Sequence, residues 1–362
     1  MRISDFFARY AVYSCVAAAM LAGCGGSQPP IGPPGAMPQA VALQSQSAQR
    51  DDRGSWIAPA AVSQDLLYVS SHSWVSVYTY PQGHLIGKLK GFNLASGQCV
   101  DSSSNVYVTD YVTSQVVEFP HGGRKRLRVL SMPGANGCSI DPTTGNLAVS
   151  SLGSTGVWIF KNAKGTPTKY QNSQFLYYYD CAYDPTGNLF VDGMSTMGTG
   201  SFVFAELPKN GNQLKVVTLN QYIGWPGGMQ WDGQHLAIGD QVTPAIYQFS
   251  INGSKGTKVG ATPLGSHAFD TLQFWVQGQT VITSTACHDV GCGHTKRGSA
   301  VMFFNYPAGG KATKIIINGL LGGPGGDSVS LAPPRPPAAP LARPHRGAVP
   351  QRRLCVHRSC AA

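Results

Sequence analysis

The segment Asn105-Val-Tyr-Val-Thr-Asp110 recurs as Asn146-Leu-Ala-Val-Ser-Ser151 and again as Asn188-Leu-Phe-Val-Asp-Gly193. Weaker copies lie on both sides of these three, at residues 66–71, 235–240 and 280–285. A period of about forty residues, made only of short strands and turns, is typical of radial or solenoid β-architectures. The repeat therefore predicts an array of similar β-units rather than one irregular domain.

Turn-forming residues divide each unit into short strands. The clearest unit reads Gly137-Cys-Ser-Ile-Asp-Pro-Thr-Thr-Gly-Asn146-Leu-Ala-Val-Ser-Ser151, then Gly156-Val-Trp-Ile-Phe160, then residues 166–171. Its apolar runs are rich in β-branched and aromatic residues and are bounded by Asp-Pro, Gly-Asn and Asn-x-x-Gly turns. About four antiparallel strands per unit, repeated six times over residues 56–333, predict an all-β fold, a six-bladed β-propeller of four-stranded blades.

The order of the motifs resembles a known repeat family. The pattern Gly-x-x-x-Asp, a turn, Asn-hydrophobic-x-Val and an aromatic third strand is similar to the NHL repeat and to related six-bladed propellers, over nearly all of residues 56–333. The segment 327–333 aligns with the start of a unit. Because a closed ring leaves no exposed sheet edge, we expect this segment to complete the first blade. The alternative is the start of a seventh blade.

The N-terminus predicts export and a lipid anchor. Arg2 and Arg9 precede an apolar run at residues 11–20 that is too short to span a bilayer. The run leads into Leu21-Ala-Gly-Cys24, which resembles a bacterial lipobox and implies cleavage before Cys24 and acylation (palmitate) of that cysteine. We predict a signal peptide at 1–23, a lipidated cysteine with a flexible linker at 24–55, and anchoring in the bacterial cell envelope, at the outer membrane if the organism is Gram-negative. An ordinary cleaved signal peptide is the alternative.

The C-terminal residues 334–362 differ in composition from the rest of the chain. They contain six arginines and no Asp or Glu, and they show no strand-like alternation. We predict a disordered basic tail, or translation after a reading-frame slip near Pro333. Without this tail and the signal peptide, the net charge falls from +10 to about +3. The folded body is therefore not expected to bind nucleic acid, and we expect a monomer.

The cysteines fall into two groups. Cys138 and Cys181 occupy the same position of successive units, and Cys99 falls one residue later in its own unit. We expect these three to be small buried hydrophobes, with a disulfide or metal pair as the alternative. The loop Cys287-His288-Asp-Val-Gly-Cys292-Gly-His294 predicts either a disulfide, which an oxidising envelope favours, or a zinc site.

Candidate catalytic residues are few. The propellers that this chain resembles include lactonases and lyases, which use acidic residues around a divalent cation in the central channel. That resemblance implies Asp180, Asp270 and Asp327 as channel residues able to bind calcium, whereas Asp beside a strand more often stabilises a turn. Asp101, Asp141, Asp184 and Asp232 are explained as turn residues; no cofactor is firmly implied, although calcium or zinc is possible.

Aromatic residues supply the remaining candidates. Tyr177 and Tyr178 precede one inner strand and Trp225 precedes another, where a propeller displays its binding surface. Packing between blades is the alternative. Two functions follow from the sequence. The first is an envelope-anchored, non-catalytic propeller that binds a protein or glycan partner, and the second is a metal-dependent hydrolase or lyase working in the channel.

Overall fold

The computed structural model describes residues 54–153, 156–195, 201–265, 271–287, 298–317 and 324–334. In these ranges the chain forms β-strands, with two short 3-10 helices at Pro59–Ser63 and Lys161–Ala163. Neither of these helices approaches the length and apolar character that a membrane crossing requires. The predicted signal peptide, Cys24, most of the linker and the tail from residue 335 lie outside the described residues.

The strands form six antiparallel blades, apart from one short parallel pairing in the fifth. The first blade contains β1 (Trp56–Ile57), β2 (Leu66–Ser71), β3 (Trp74–Thr79) and β4 (Leu85–Lys90). The second blade contains β5 (Ala95–Val100), β6 (Val106–Asp110), β7 (Gln115–Phe119) and β8 (Arg128–Ser131). The third blade contains β9 (Ala135–Ile140), β10 (Leu147–Ser151), β11 (Val157–Phe160) and β12 (Thr168–Tyr170). The fourth blade contains β13 (Phe175–Tyr183), β14 (Leu189–Ser195), β15 (Phe202–Leu207) and β16 (Lys215–Val216). The fifth blade contains β17 (Thr218–Leu219), β18 (Pro226–Trp231), β19 (Leu236–Asp240), β20 (Ala245–Asn252) and β21 (Lys255–Pro263), with β17 parallel to β21. The sixth blade contains β22 (Thr271–Gln277), β23 (Thr280–Cys287), β24 (Gly298–Asn305) and β25 (Lys314–Ile316).

The ring is closed by the last strand, β26 (Pro324–Ser330), which is the inner strand of the first blade. It pairs antiparallel with β2, with Leu66 opposite Ser330 and Val69 opposite Asp327. The inner strands β26, β5, β9, β13, β18 and β22 contact one another in that order around the axis. The predicted six-bladed β-propeller, closed through the first blade, is confirmed.

The core lies between blades. Side chains alternate between the two faces of each second strand, so one strand contributes to the interfaces with both neighbouring blades, which we call seams. In β2, Leu66 and Tyr68 pack against the second blade, whereas Leu67 and Val69 pack against the sixth. Because both faces are buried, the repeated segments are almost continuously apolar instead of alternating with polar residues.

The aspartates after the inner strands stabilise turns, as predicted. Asp184 Oδ1 accepts hydrogen bonds from the backbone N–H groups of Thr186 and Asn188, both at 2.9 Å, and its Oδ2 accepts from Asn188 Nδ2 at 2.8 Å. Equivalent side-chain bonds anchor the other three turns, which begin at Asp101, Asp141 and Asp232. The spaced Asp and Asn of the repeat are therefore explained by local turn chemistry.

Two of the repeat cysteines are covalently linked. Cys99 on β5 and Cys138 on β9 form a disulfide across the seam between the second and third blades, with Cα atoms 5.6 Å apart. Our expectation of separate buried thiols is wrong for this pair, because the inner strands approach more closely than expected: a Cβ on Gly97 would lie 2.9 Å from the Cα of Gly137. Cys181 is a buried free thiol, as expected.

Candidate functional site

The inner strands meet at a level formed mainly by glycine. Six equivalent residues share this level, one on each inner strand: Gly97, Gly137, Asp180, Gly228, Gln273 and Gly326. A Cβ on Gly137 would lie 1.8 Å from Asp180 Oδ1, and one on Gly326 would lie 2.3 Å from Gln273 Oε1. Backbone atoms are also too close, because a Cβ on Gly97 would lie 2.3 Å from the carbonyl oxygen of Asn136 and one on Gly326 would lie 2.7 Å from that of Ser96, so these positions favour glycine. We call these six residues the glycine level.

Asp180 connects the fourth blade to the fifth. Its Oδ2 accepts a hydrogen bond from the backbone N–H of Met229 on β18 at 2.9 Å, and its Oδ1 accepts from the N–H of Cys181 at 2.8 Å. Burial raises the pKa of this carboxyl to about 7, and the two backbone donors oppose the shift only in part. Asp180 therefore joins two blades at the glycine level.

Two further buried carboxyls lie near the axis. Asp192 Oδ1 accepts the backbone N–H of Asp180 at 2.9 Å, while its Oδ2 is buried without a hydrogen-bond partner. Both oxygens of Asp327 are buried without a partner. Burial raises the pKa of each carboxyl well above its usual range, with the charge of Asp180 adding to the shift at Asp192 and Ser284 opposing it at Asp327. Burial therefore favours the protonated form of both carboxyls.

A cavity of about 150 Å³ extends from the glycine level toward the last residues of the inner strands. Asp180 and Gln273 lie at its inner end, and Trp231 and Trp275, both partly exposed, lie toward its outer end. The rest of the wall comes from the inner strands of the second to sixth blades: Gln98, Cys99, Val100, Cys138, Ser139, Ile140, Ala182, Tyr183, Met229, Gln230 and Phe274. The cavity opens on the face where the turns at Asp101, Asp141, Asp184 and Asp232 lie, which we call the Asp-turn face.

The opposite face carries the connections between blades and the turns between second and third strands; we call it the interblade-loop face. Two of its turns share the sequence Asp-x-Val-Thr, at residues 110–113 and 240–243. Asp110 accepts the backbone N–H groups of Asn93, Leu94 and Thr113 at 2.8, 3.0 and 3.2 Å. Each such aspartate thus ties an interblade loop to a neighbouring turn.

Asp240 repeats this arrangement in the fifth blade. Its carboxylate accepts the N–H groups of Gly224, Trp225 and Val242 at 3.1, 3.2 and 2.9 Å. Sequence reasoning missed both aspartates because they ended a strand motif and looked like part of the repeat. The recurrence of Val-Thr after each of them is the signal that could have identified them.

The predicted aromatic surface is not exposed as expected. Tyr178 is fully buried and stacks on Phe175 with ring centroids 4.4 Å apart, and Trp225 is only 8% exposed. Both therefore pack inside the protein rather than on its surface. Tyr177 is partly buried. The exposed apolar residues on this face are instead Val112, Leu176, Tyr222 and Val242.

Several predicted site residues cannot be placed. Asp270, His288, Cys292 and His294 lie outside the described residues, and Cys287 ends β23 with its side chain not described. Within the described ranges, no group of three or more His, Cys, Asp or Glu side chains is arranged to hold a metal ion. The calcium and zinc predictions therefore stay predictions.

Comparison with known proteins agrees with the geometry at the level of fold. The fold is a six-bladed β-propeller. A protein of unknown function from Bacteroides caccae is similar over 74% of this chain and 99% of its own, with 15% identity and a TM-score of 0.56. A chain of a nidogen/laminin complex is similar over 74% of this chain and 99% of its own, with 12% identity and a TM-score of 0.58. A chain of hydrazine synthase from Kuenenia stuttgartiensis is similar over 64% of this chain and 79% of its own, with 17% identity and a TM-score of 0.50.

The sequence comparisons give no family assignment. No protein-family model matches the chain, and no curated protein matches it. At these low identities the structural likeness concerns the architecture alone.

Proposed function

We propose that the protein is an envelope-anchored, non-catalytic β-propeller that binds a partner protein through its interblade-loop face. The observation that carries this proposal is the pair of Asp-x-Val-Thr turns. They hold Val112 and Val242 at 47% and 66% exposure on loops fixed by buried aspartates. Exposed apolar side chains that share one face of a protein can form a surface for another protein, and Leu176 and Tyr222 are exposed on the same face as these two valines.

The rigidity of these turns favours binding. A loop that is already held in one conformation loses little conformational entropy when a partner binds. The two turns belong to the second and fifth blades, which stand opposite each other in a ring of six. Tyr222, 81% exposed, lies on the loop that Asp240 anchors, and Leu176 is the second residue of the neighbouring blade's inner strand. This apolar character favours a protein over a glycan as the partner.

The compartment in this proposal comes from the sequence. The apolar run at 11–20 and Leu21-Ala-Gly-Cys24 support export and acylation at Cys24. The disulfide between Cys99 and Cys138 agrees with an oxidising compartment. A ring of this shape also occurs in the nidogen/laminin complex, which is a protein assembly.

Site-specific photo-crosslinking in cells tests the binding face. A photoreactive residue at Val242 or Val112 is expected to give one defined adduct, whereas the same residue at Leu127, which is 53% exposed on the Asp-turn face, is expected to give none. The adduct should be reproduced with the two purified proteins and lost in Val242→Asp. Equal adducts from both faces, or none from Val242 and Val112, would overturn the assignment of the face.

Fractionation with labelled palmitate tests the anchor. The protein should carry the label and sediment with membranes, and Cys24→Ser should remove the label and release the protein. Cys355→Ser is the matched control and should change neither. Label retained in Cys24→Ser would exclude the lipobox interpretation.

A further inference from the structure

The central cavity combines one acidic group with an aromatic wall. Of the residues that line it, Asp180 is the only one with a charged form at neutral pH, and none is basic. Its ionisable neighbours are Asp192 and Cys181, neither of which supplies a positive charge. A carboxyl buried without a counter-ion is costly to ionise, and a cationic ligand would remove that cost.

Four of the lining side chains are aromatic: Tyr183, Trp231, Phe274 and Trp275. The faces of aromatic rings attract cations, and the attraction is stronger where water is excluded. Groups of such rings are the usual way in which proteins recognise quaternary ammonium ions. The wall of this cavity is therefore suited to a positively charged organic group.

Three of the polar side chains of the wall, Gln98, Gln230 and Ser139, are already engaged in hydrogen bonds. Gln98 Nε2 donates to Ser70 Oγ at 2.8 Å, and Gln98 Oε1 accepts from Ser328 Oγ at 2.8 Å. Gln230 is bonded to the backbone of Val276 through both its amide atoms, and the Ser139 hydroxyl accepts the N–H of Tyr183 at 3.0 Å. Few hydrogen-bonding groups remain free for the hydroxyls of a sugar. A ligand that needs charge compensation rather than hydrogen bonds suits the site better.

The opening of the cavity is also acidic. Val100, Ile140, Tyr183 and Trp231 end the inner strands at the cavity wall, and the next residue in each case is aspartate: Asp101, Asp141, Asp184 and Asp232. The basic residues of the same face lie on or beside the turns between third and fourth strands, further from the axis: Arg124, Lys125, Arg126, Lys161, Lys164, Lys209, Lys255 and Lys311. Charges of one sign around a cleft raise the local concentration of ligands of the opposite sign.

We propose that the central cavity binds a small organic cation of the quaternary-ammonium class, with the ammonium group against the aromatic side chains and Asp180 as its counter-charge. The size of the cavity agrees with this class. About 150 Å³ is roughly ten times the space that one water molecule needs, which is enough for a compact ligand and too little for an oligosaccharide. This site lies on the face opposite to the one proposed for the protein partner, so either assignment can fail without the other.

Binding of choline and tetramethylammonium to the purified protein tests the proposal. Calorimetry and the fluorescence of Trp231 and Trp275 should both report saturable binding of each cation. The neutral carbon isostere of choline, dimethylbutanol, should bind at least about tenfold more weakly, because it has the same shape without the charge. Choline binding at pH 6 to 7 should release protons, because the bound cation favours ionised Asp180.

Variants separate the roles of charge and aromatic wall. Asp180→Asn should weaken choline about tenfold or more and abolish the proton release, while the affinity for dimethylbutanol stays the same. Trp275→Leu, which keeps the carboxyl, should weaken both ligands. Asp327→Asn is the matched control, since it changes a buried carboxyl outside the cavity and should leave choline affinity unchanged. Equal affinities for choline and its isostere, or no binding by a folded wild-type protein, would overturn the proposal.

Discussion

The seam between the fourth and fifth blades and the closing seam between the sixth and first blades each contain a buried aspartate from an inner strand. Asp180, at the first seam, accepts two backbone N–H groups and reaches the cavity. Asp327, at the second, accepts no hydrogen bond, although Ser284 of the sixth blade lies close to it. The same residue type therefore stabilises one seam and costs free energy at the other, which residue identity alone does not reveal.

The disulfide-linked seam between the second and third blades provides a reference for this comparison. Replacing Cys99 and Cys138 together by serine should lower the free energy of unfolding by about 4 kcal/mol, because the disulfide closes a loop of 39 residues in the unfolded chain. Urea unfolding of oxidised wild type and the double variant measures the difference. Cys181→Ser, at a buried free thiol, is the control and should cost less. A loss smaller than that of the control would mean that the covalent seam contributes little.

The pH dependence of stability sharpens the comparison at Asp180. Its pKa is raised from 3.8 to about 7, so its contribution is fully present below pH 4 and is lost as the pH rises toward 7. The loss should be of the order of 3 kcal/mol between pH 4 and 8. Asp192 and Asp327 act in the same direction and extend the loss to higher pH. Urea unfolding should show a smaller pH slope in Asp180→Asn, and an unchanged slope would contradict the assignment.

Removing the carboxyl at each seam should have opposite effects. Asp180→Ala leaves the N–H groups of Met229 and Cys181 without their acceptor and should destabilise the protein by about 2 kcal/mol at pH 5, where the contribution of the carboxyl is still largely present. Thermal unfolding measures the change, and Asp180→Asn, which retains an acceptor oxygen, should lose less. Stability equal to that of wild type in the alanine variant would show that these bonds do not hold the seam.

The smallest effect is expected at the closing seam. Asp327→Asn removes a buried ionisable group that has no hydrogen bond and should raise the stability at pH 8 by about 1 kcal/mol, with little change at pH 4. Unfolding at the two pH values tests the prediction. A clear loss at pH 8 would mean that ionised Asp327 is stabilised by its surroundings, and the contrast with Asp180 would then disappear.

Local chemistry explains which features the sequence could predict. The turn at Asp184 depends on bonds to Thr186 and Asn188, only two and four residues away, so the spacing alone identifies it. The burial of the repeated segments follows from their apolar composition, and ring closure follows from the match of residues 327–333 to the start of a unit. These features specify the architecture because they recur in every blade.

Long-range geometry explains what the sequence could not predict. The bond between Cys99 and Cys138 depends on how closely glycines allow inner strands to approach, and the spacing of cysteines does not contain that distance. The wrong placement of Tyr178 and Trp225 has a similar cause, because the burial of a residue near a strand start depends on which distant segments pack over it. The cavity is assembled from five blades, and no single repeat shows it.

The closing strand has a consequence for how the protein is made. Leu66 lies in the first blade, yet its partner Ser330 is one of the last residues of the ring, so the first blade cannot be completed until the whole propeller sequence has been synthesised. Until then β2 presents an unpaired edge that can pair with other chains. Contacts of such long sequence separation also form slowly. A chain cut short before residue 324 would therefore have two open sheet edges, and it should aggregate rather than form a smaller ring.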